Sequence, residues 1–83
     1  MARILFFGKL GDLAGARERN VALTKEPETV NGLIAAIGKD DSVLAAALQE
    51  ISVRVIVNEE MASGDTPITD KDEIAFLPPV SGG

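Results

Sequence analysis

Val30, Leu33, Ile34 and Ile37 recur at i, i+3, i+4 and i+7 within TVNGLIAAIG, a spacing that stacks all four on one face of an α-helix. A helix with one apolar face must lay that face against something. A chain of 83 residues has room for one core, so the other wall has to be a small sheet drawn from the remaining sequence. Thr29 offers a hydroxyl to an orphan amide as N-cap, and Gly38 offers a left-handed stop.

The flanking segments supply the strands. Ile4, Leu5, Phe6 and Phe7 form a continuous apolar run ending at Gly8, the pattern of a strand buried on both faces. ERNVAL (18–23) alternates polar residues with Val21 and Leu23, as a half-buried strand does. Between them KLGDLAGAR reads two ways: Leu10, Leu13 and Ala14 can share one helical face, while Gly11 and Gly15 weaken it. A second stripe, Leu44, Ala47, Leu48 and Ile51, predicts another helix with Asp41 or Ser42 as cap. SVRVIVN is a strand with Val53, Val55 and Val57 on one face and Arg54 on the other. Asn58, Glu59 and Glu60 make a turn, ASGDTP makes another, and a third around Asp70–Asp72 leads into a closing strand with Ile74, Phe76 and Leu77. The expected architecture is α+β, with helices on one face of a small mixed sheet.

Composition narrows the chemistry. There is no cysteine, hence no disulfide or thiolate metal site, and no histidine, the commonest general base and metal ligand. Thirteen acidic against eight basic residues give a net charge of −5, which repels nucleic-acid backbones and anionic lipid and suits a partner with a basic docking face. MARILFFGKL lacks the long apolar region and cleavage site of a signal peptide, and no apolar run approaches the ~20 residues of a membrane span, so the expected location is cytoplasmic.

Three features imitate sites. Asp70, Asp72 and Glu73 read as a solvated turn, since paired carboxylates do acid-base work only in a pocket that shifts them. Asp40 and Asp41 read as helix caps, because no further oxygen ligands surround them. Gly8, Gly11 and Gly15 lack the spacing and the βαβ setting of a dinucleotide fingerprint.

The ending PPVSGG is different. Pro78 and Pro79 fix φ near about −65° and disfavour helix before them, so the segment leaves the last strand extended. Six residues at ~3.3 Å each reach about 20 Å, enough to enter a partner's cleft. Val80 gives that cleft an apolar handle, and Gly82 and Gly83, without Cβ atoms, let backbone through a channel too narrow for other residues. The terminal carboxylate is unreactive until attachment to AMP turns it into a mixed anhydride, from which a sulfur nucleophile can displace the nucleotide. The expected organisation is therefore a domain over 1–77 and a flexible presenting tail over 78–83.

The stretches ARILFFGKLGDLAG, PETVNGLIAAI, VIVNEE and DTPITDKDEIAFLPPVSGG match, in order and along nearly the whole chain, the small subunit of molybdopterin synthase, and the sequence resembles that family. The resemblance implies a ubiquitin-like β-grasp fold and a sulfur carrier that is not itself the catalytic subunit. It implies that Gly83 is adenylated by an ATP-dependent enzyme related to ubiquitin-activating enzymes. A sulfur donor protein then converts it to a thiocarboxylate (1-thioglycine). The resemblance implies no bound cofactor. The sulfur passes to cyclic pyranopterin monophosphate in the large synthase subunit, within a heterotetramer, for molybdenum cofactor biosynthesis; two loaded carriers serve each product. Carried over by position, Gly83 bears the sulfur and Gly82 threads the channel. Pro78, Pro79, Val80 and Ser81 fill the cleft, and Phe76 and Leu77 sit at the base of the tail. Leu77 stands where relatives often carry an aromatic residue, and Gly11 and Asp12 where many carry Arg-Glu, which leaves Lys9 or Arg17 to supply charge for a partner. Two rivals remain: a related carrier feeding thiamine thiazole, cysteine or tRNA thiolation, and a ubiquitin-like binding module whose tail is never activated.

Overall fold

Alternation of side chains about the first strand sets the inside and outside of the molecule. In the computed structural model, which describes residues 1–25 and 28–79, β1 (Ala2–Phe6) buries Ala2, Ile4 and Phe6 and turns Arg3 and Leu5 the other way. The both-faces expectation for the apolar run is corrected here. Helices cover one face of the sheet alone, so Leu5 is only half-buried, and Phe7, past the strand end, is 48% exposed.

After β1 come α1 (Lys9–Ala14) and β2 (Glu18–Val21), then β3 (Glu28–Thr29), α2 (Val30–Gly38) and α3 (Ser42–Leu48). The chain continues through β4 (Arg54–Val57), β5 (Glu60–Ala62), β6 (Pro67–Ile68) and β7 (Glu73–Leu77). The main sheet has the order β2-β1-β7-β4-β5; β1 and β7 are parallel and the other neighbours antiparallel. A separate pair, β3 with β6, brackets the start of α2. This is the expected mixed sheet with helices on one face, in the ubiquitin-like β-grasp arrangement.

Val30, Leu33, Ile34 and Ile37 are all buried, as their spacing requires, and the Thr29 hydroxyl accepts from the Gly32 amide at 3.0 Å. Gly38 is not a left-handed stop. It lies inside α2, and a Cβ there would come within 3.1 Å of the Ala45 Cβ, so its value is the close approach of α3. Asp41 caps α3 by accepting from the Leu44 amide at 3.0 Å, whereas Asp40 caps nothing and lies in the connecting turn. The stripe of α3 stops early: Leu44, Ala45 and Leu48 are buried, but the helix ends at Leu48 and Ile51 is fully exposed in the following turn. The ambiguous segment is helical, with Leu10 buried, Ala14 packed on the core, Leu13 turned outward and Gly15 closing it at φ 75°. Among the described residues every fully buried side chain is apolar, and no helix is long and apolar enough to cross a membrane.

Candidate functional site

The tail is rooted in the middle of the sheet. β7 is the third of five strands, held by β1 on one side and β4 on the other, so the segment leading out at Pro78 starts from the central strand, paired along both edges. Phe76 is 1% exposed, its ring stacked on Phe6 with centroids 6.1 Å apart and planes 12° from parallel. The Arg19 guanidinium carbon lies 5.9 Å from the Phe6 ring centre. Phe76 is thus packed into the core just before the chain leaves at Pro78, and its buried side chain offers almost no surface to a partner.

Leu77 faces the other way, half-buried on the outer, helix-free side of the sheet. Pro78 is half-buried and Pro79 exposed. Pro78 is seated over Gly8, whose φ of 55° and ψ of −132° suit glycine, and a Cβ there would come within 2.9 Å of Pro78 Cγ. The remaining expected site residues, Val80, Ser81, Gly82 and Gly83, lie outside the described residues.

Strand register orders the outer face into three rows. Farthest from the tail run Asn20, Arg3 and Glu73. The middle row is Glu18, Leu5, Ala75, Ile56 and Met61, apolar over its last four positions. Leu77 and Arg54 face each other in the row nearest the tail, and Phe7, one residue beyond the Phe6–Phe76 pair, flanks them. Ala75 is buried beneath its neighbours Leu5 and Ile56, while Met61 is 65% exposed. Sequence alternation marked Arg54 as outward-facing; the apolar row was not visible, because it is assembled across strands that are distant in the chain.

Charge divides along the same direction. Arg3 is held by Glu18 and Glu73, each at 3.1 Å, and its guanidinium is raised above its ordinary value, first by the hydrogen bond and attraction from Glu18. Both partners are exposed, so salt screens the arrangement. The turn carboxylates have local work. Asp72 accepts from the Thr69 amide at 2.8 Å and from Asn58 Nδ2 at 2.9 Å, and Asp70 accepts from the Leu23 amide at 2.8 Å. At the tail end, Lys9, Arg17 and Arg54 make no ion pair among the described residues. Two grooves flank the root. One of about 490 Å³ is lined by Phe7, Gly8, Gly11, Asp12 and Arg17; another of about 460 Å³ is lined by Ile34, Ile51, Arg54, Met61 and Phe76. Among the described residues no group of three acidic side chains is placed to hold a metal ion.

The sequence pattern of the ThiS family matches residues 4–83. The molybdopterin synthase sulfur carrier subunit of Escherichia coli is 36% identical over 83 residues, covering 100% of both chains. Its counterpart in Haemophilus influenzae is 28% identical over the same length, again covering both chains fully. Among solved structures, SAMP1 from Haloferax volcanii superposes with a TM-score of 0.82 at 26% identity, over 99% of this chain and 98% of the other.

Proposed function

The chain belongs to the ThiS family, and from that membership we propose that it is the sulfur carrier subunit of a molybdopterin synthase. The observation that carries the reading is the end-to-end likeness to sulfur carrier subunits of that synthase. The seating of the tail on the central strand supports it. A carrier needs a rigid body for recognition and a narrow, extended end for chemistry, and the body supplies the first through Phe76, Leu77 and Pro78.

The proposed cycle runs on the Gly83 carboxylate. An adenylating enzyme transfers AMP from ATP to a carboxylate oxygen and releases pyrophosphate. A sulfur donor protein then supplies sulfur at the sulfide level, which bonds to the carbonyl carbon as AMP leaves, and a thiocarboxylate remains. Inside the large subunit the thiocarboxylate sulfur bonds to a carbon of cyclic pyranopterin monophosphate as an oxygen substituent leaves it, and water hydrolyses the resulting thioester, which leaves the sulfur on the pterin and restores the carrier's carboxylate. Gly82 lets the chain pass a constriction that any Cβ would block. The carrier contributes reach, orientation and the sulfur; the pocket belongs to the other subunit.

The test is to load the full chain, verify the thiocarboxylate by mass, and mix it with the large subunit of the same organism and the cyclic pterin precursor. We expect dithiolene product at about one molecule per two carriers consumed, as two sulfurs per dithiolene require. No product from a verified, folded, loaded chain would sink the reading in favour of another thiolation pathway. Deleting Gly83 separates both carriers from a passive binding module: either carrier loses all function with the fold retained, and the module loses none. Gly82→Val should fold normally yet fail in adenylation or transfer.

A further inference from the structure

The outer face of the sheet changes character toward the tail, and one charge on it is unspent. Arg3 sits between Glu18 and Glu73 and is neutralised within the chain. Arg54 points out of the same face, in register with Leu77, and among the described residues has no carboxylate in ion-pairing range. Between the two lies the apolar row of Leu5, Ala75, Ile56 and Met61. A tail whose reach is about 20 Å cannot deliver its end deep into another protein unless that protein rests on the tail's root. The surface at the root is Phe7, Leu77 and Arg54.

We infer that Arg54 pairs with a carboxylate on the large synthase subunit and fixes how that subunit sits across the outer sheet face. The inference rests on the sulfur carrier reading and adds the orienting contact to it. The charge order makes the docking directional. The far end of the face and its turns carry Glu59, Asp72 and Glu73, so a partner that presents acid to Arg54 is repelled if it docks the other way round. The large subunit is the occupant the relatives point to, since the proteins this chain resembles over its full length are named as sulfur carrier subunits of a synthase. Nucleic acid is a poor occupant for a chain of net charge −5.

The experiment measures association rates of the full-length chain with the large subunit of the same organism, at low and high salt. Arg54→Glu should slow association roughly tenfold at low salt, with the gap closing at ~1 M salt, because rim charges act mainly on encounter. Arg54→Lys should recover most of the rate. Lys71→Glu changes the net charge equally at the opposite end of the sheet and should stay within about twofold of the parent. Circular dichroism of each variant confirms the fold. Equal rates for Arg54→Glu and the parent, or equal slowing by Lys71→Glu, would overturn the inference. So would a defect confined to loading by the adenylating enzyme, or a self-dimer of the free chain that Arg54→Glu abolishes, since each assigns the face to a different occupant. A parent chain that does not bind the large subunit at all would instead overturn the sulfur carrier reading from which the inference starts.

Discussion

Gly8 shows how one residue can couple the body to the tail. Its φ of 55° with ψ of −132° falls where side chains pay backbone strain, and its missing Cβ makes the room that Pro78 fills. Gly8→Ala should therefore cost about 1–3 kcal/mol, read by urea denaturation, and should displace Pro78 as well. A sulfur-transfer rate that falls further than the folded fraction does would report the second effect; a rate that tracks the folded fraction would limit Gly8 to stability. Phe76 makes a different case. The resemblance made it a partner-facing residue at the base of the tail, yet its ring is stacked on Phe6 in the core. A residue's position along a motif can be read from sequence, but the face its side chain occupies follows from strand parity, which needs the strand's exact start.

At the scale of elements, the β4–β5 hairpin holds its two loop residues, Asn58 and Glu59, at φ 50° and 70°. Two-residue hairpins favour this geometry and supply it with Asn-Gly, because a side chain at positive φ costs about 1–2 kcal/mol. Asn58 recovers some of that cost: its side chain accepts from the Glu73 amide at 2.9 Å and donates to Asp72 at 2.9 Å. Among the described residues Glu59 makes no such bond, so Glu59→Gly should stabilise the domain by roughly 0.5–1 kcal/mol, a Tm rise of about 2–8 °C. An unchanged or lowered Tm would show that the unfolded chain gains as much freedom as the turn sheds strain. The same elements explain what was legible. α2 carried a full stripe and a side-chain cap, so Thr29 and its four apolar residues were fixed by local pattern. In α3 the stripe ran on to Ile51, but the chain breaks at Leu48 to enter β4, a tertiary demand that periodicity does not record. β3 and β6 are two residues each, too short for any alternation to register.

For the whole molecule, the division of labour makes stability and function separable. The buried cluster among the described residues runs from Ala2 to Phe76 and draws on both helical stripes, β1 and β7. Leu33, 1% exposed at its centre, should cost about 2–4 kcal/mol when cut to alanine. That is a large share of the roughly 5–15 kcal/mol a domain has, and at 83 residues this chain sits toward the lower end. On the expectation that residues 80–83, which lie outside the described residues, serve as a presenting tail, the stability of the domain does not depend on them. Truncation should therefore leave Tm within about 4 °C of the parent, on the expectation that surface changes stay near ±0.5 kcal/mol, while sulfur loading disappears. Leu33→Ala should do the reverse, lowering Tm steeply while the fraction still folded loads sulfur at the parent rate. The pair is informative because each variant controls for the other. Were truncation to lower Tm as much as the core cavity does, the tail would be part of the folded body, and a carrier that must send its end into another protein could not be built that way.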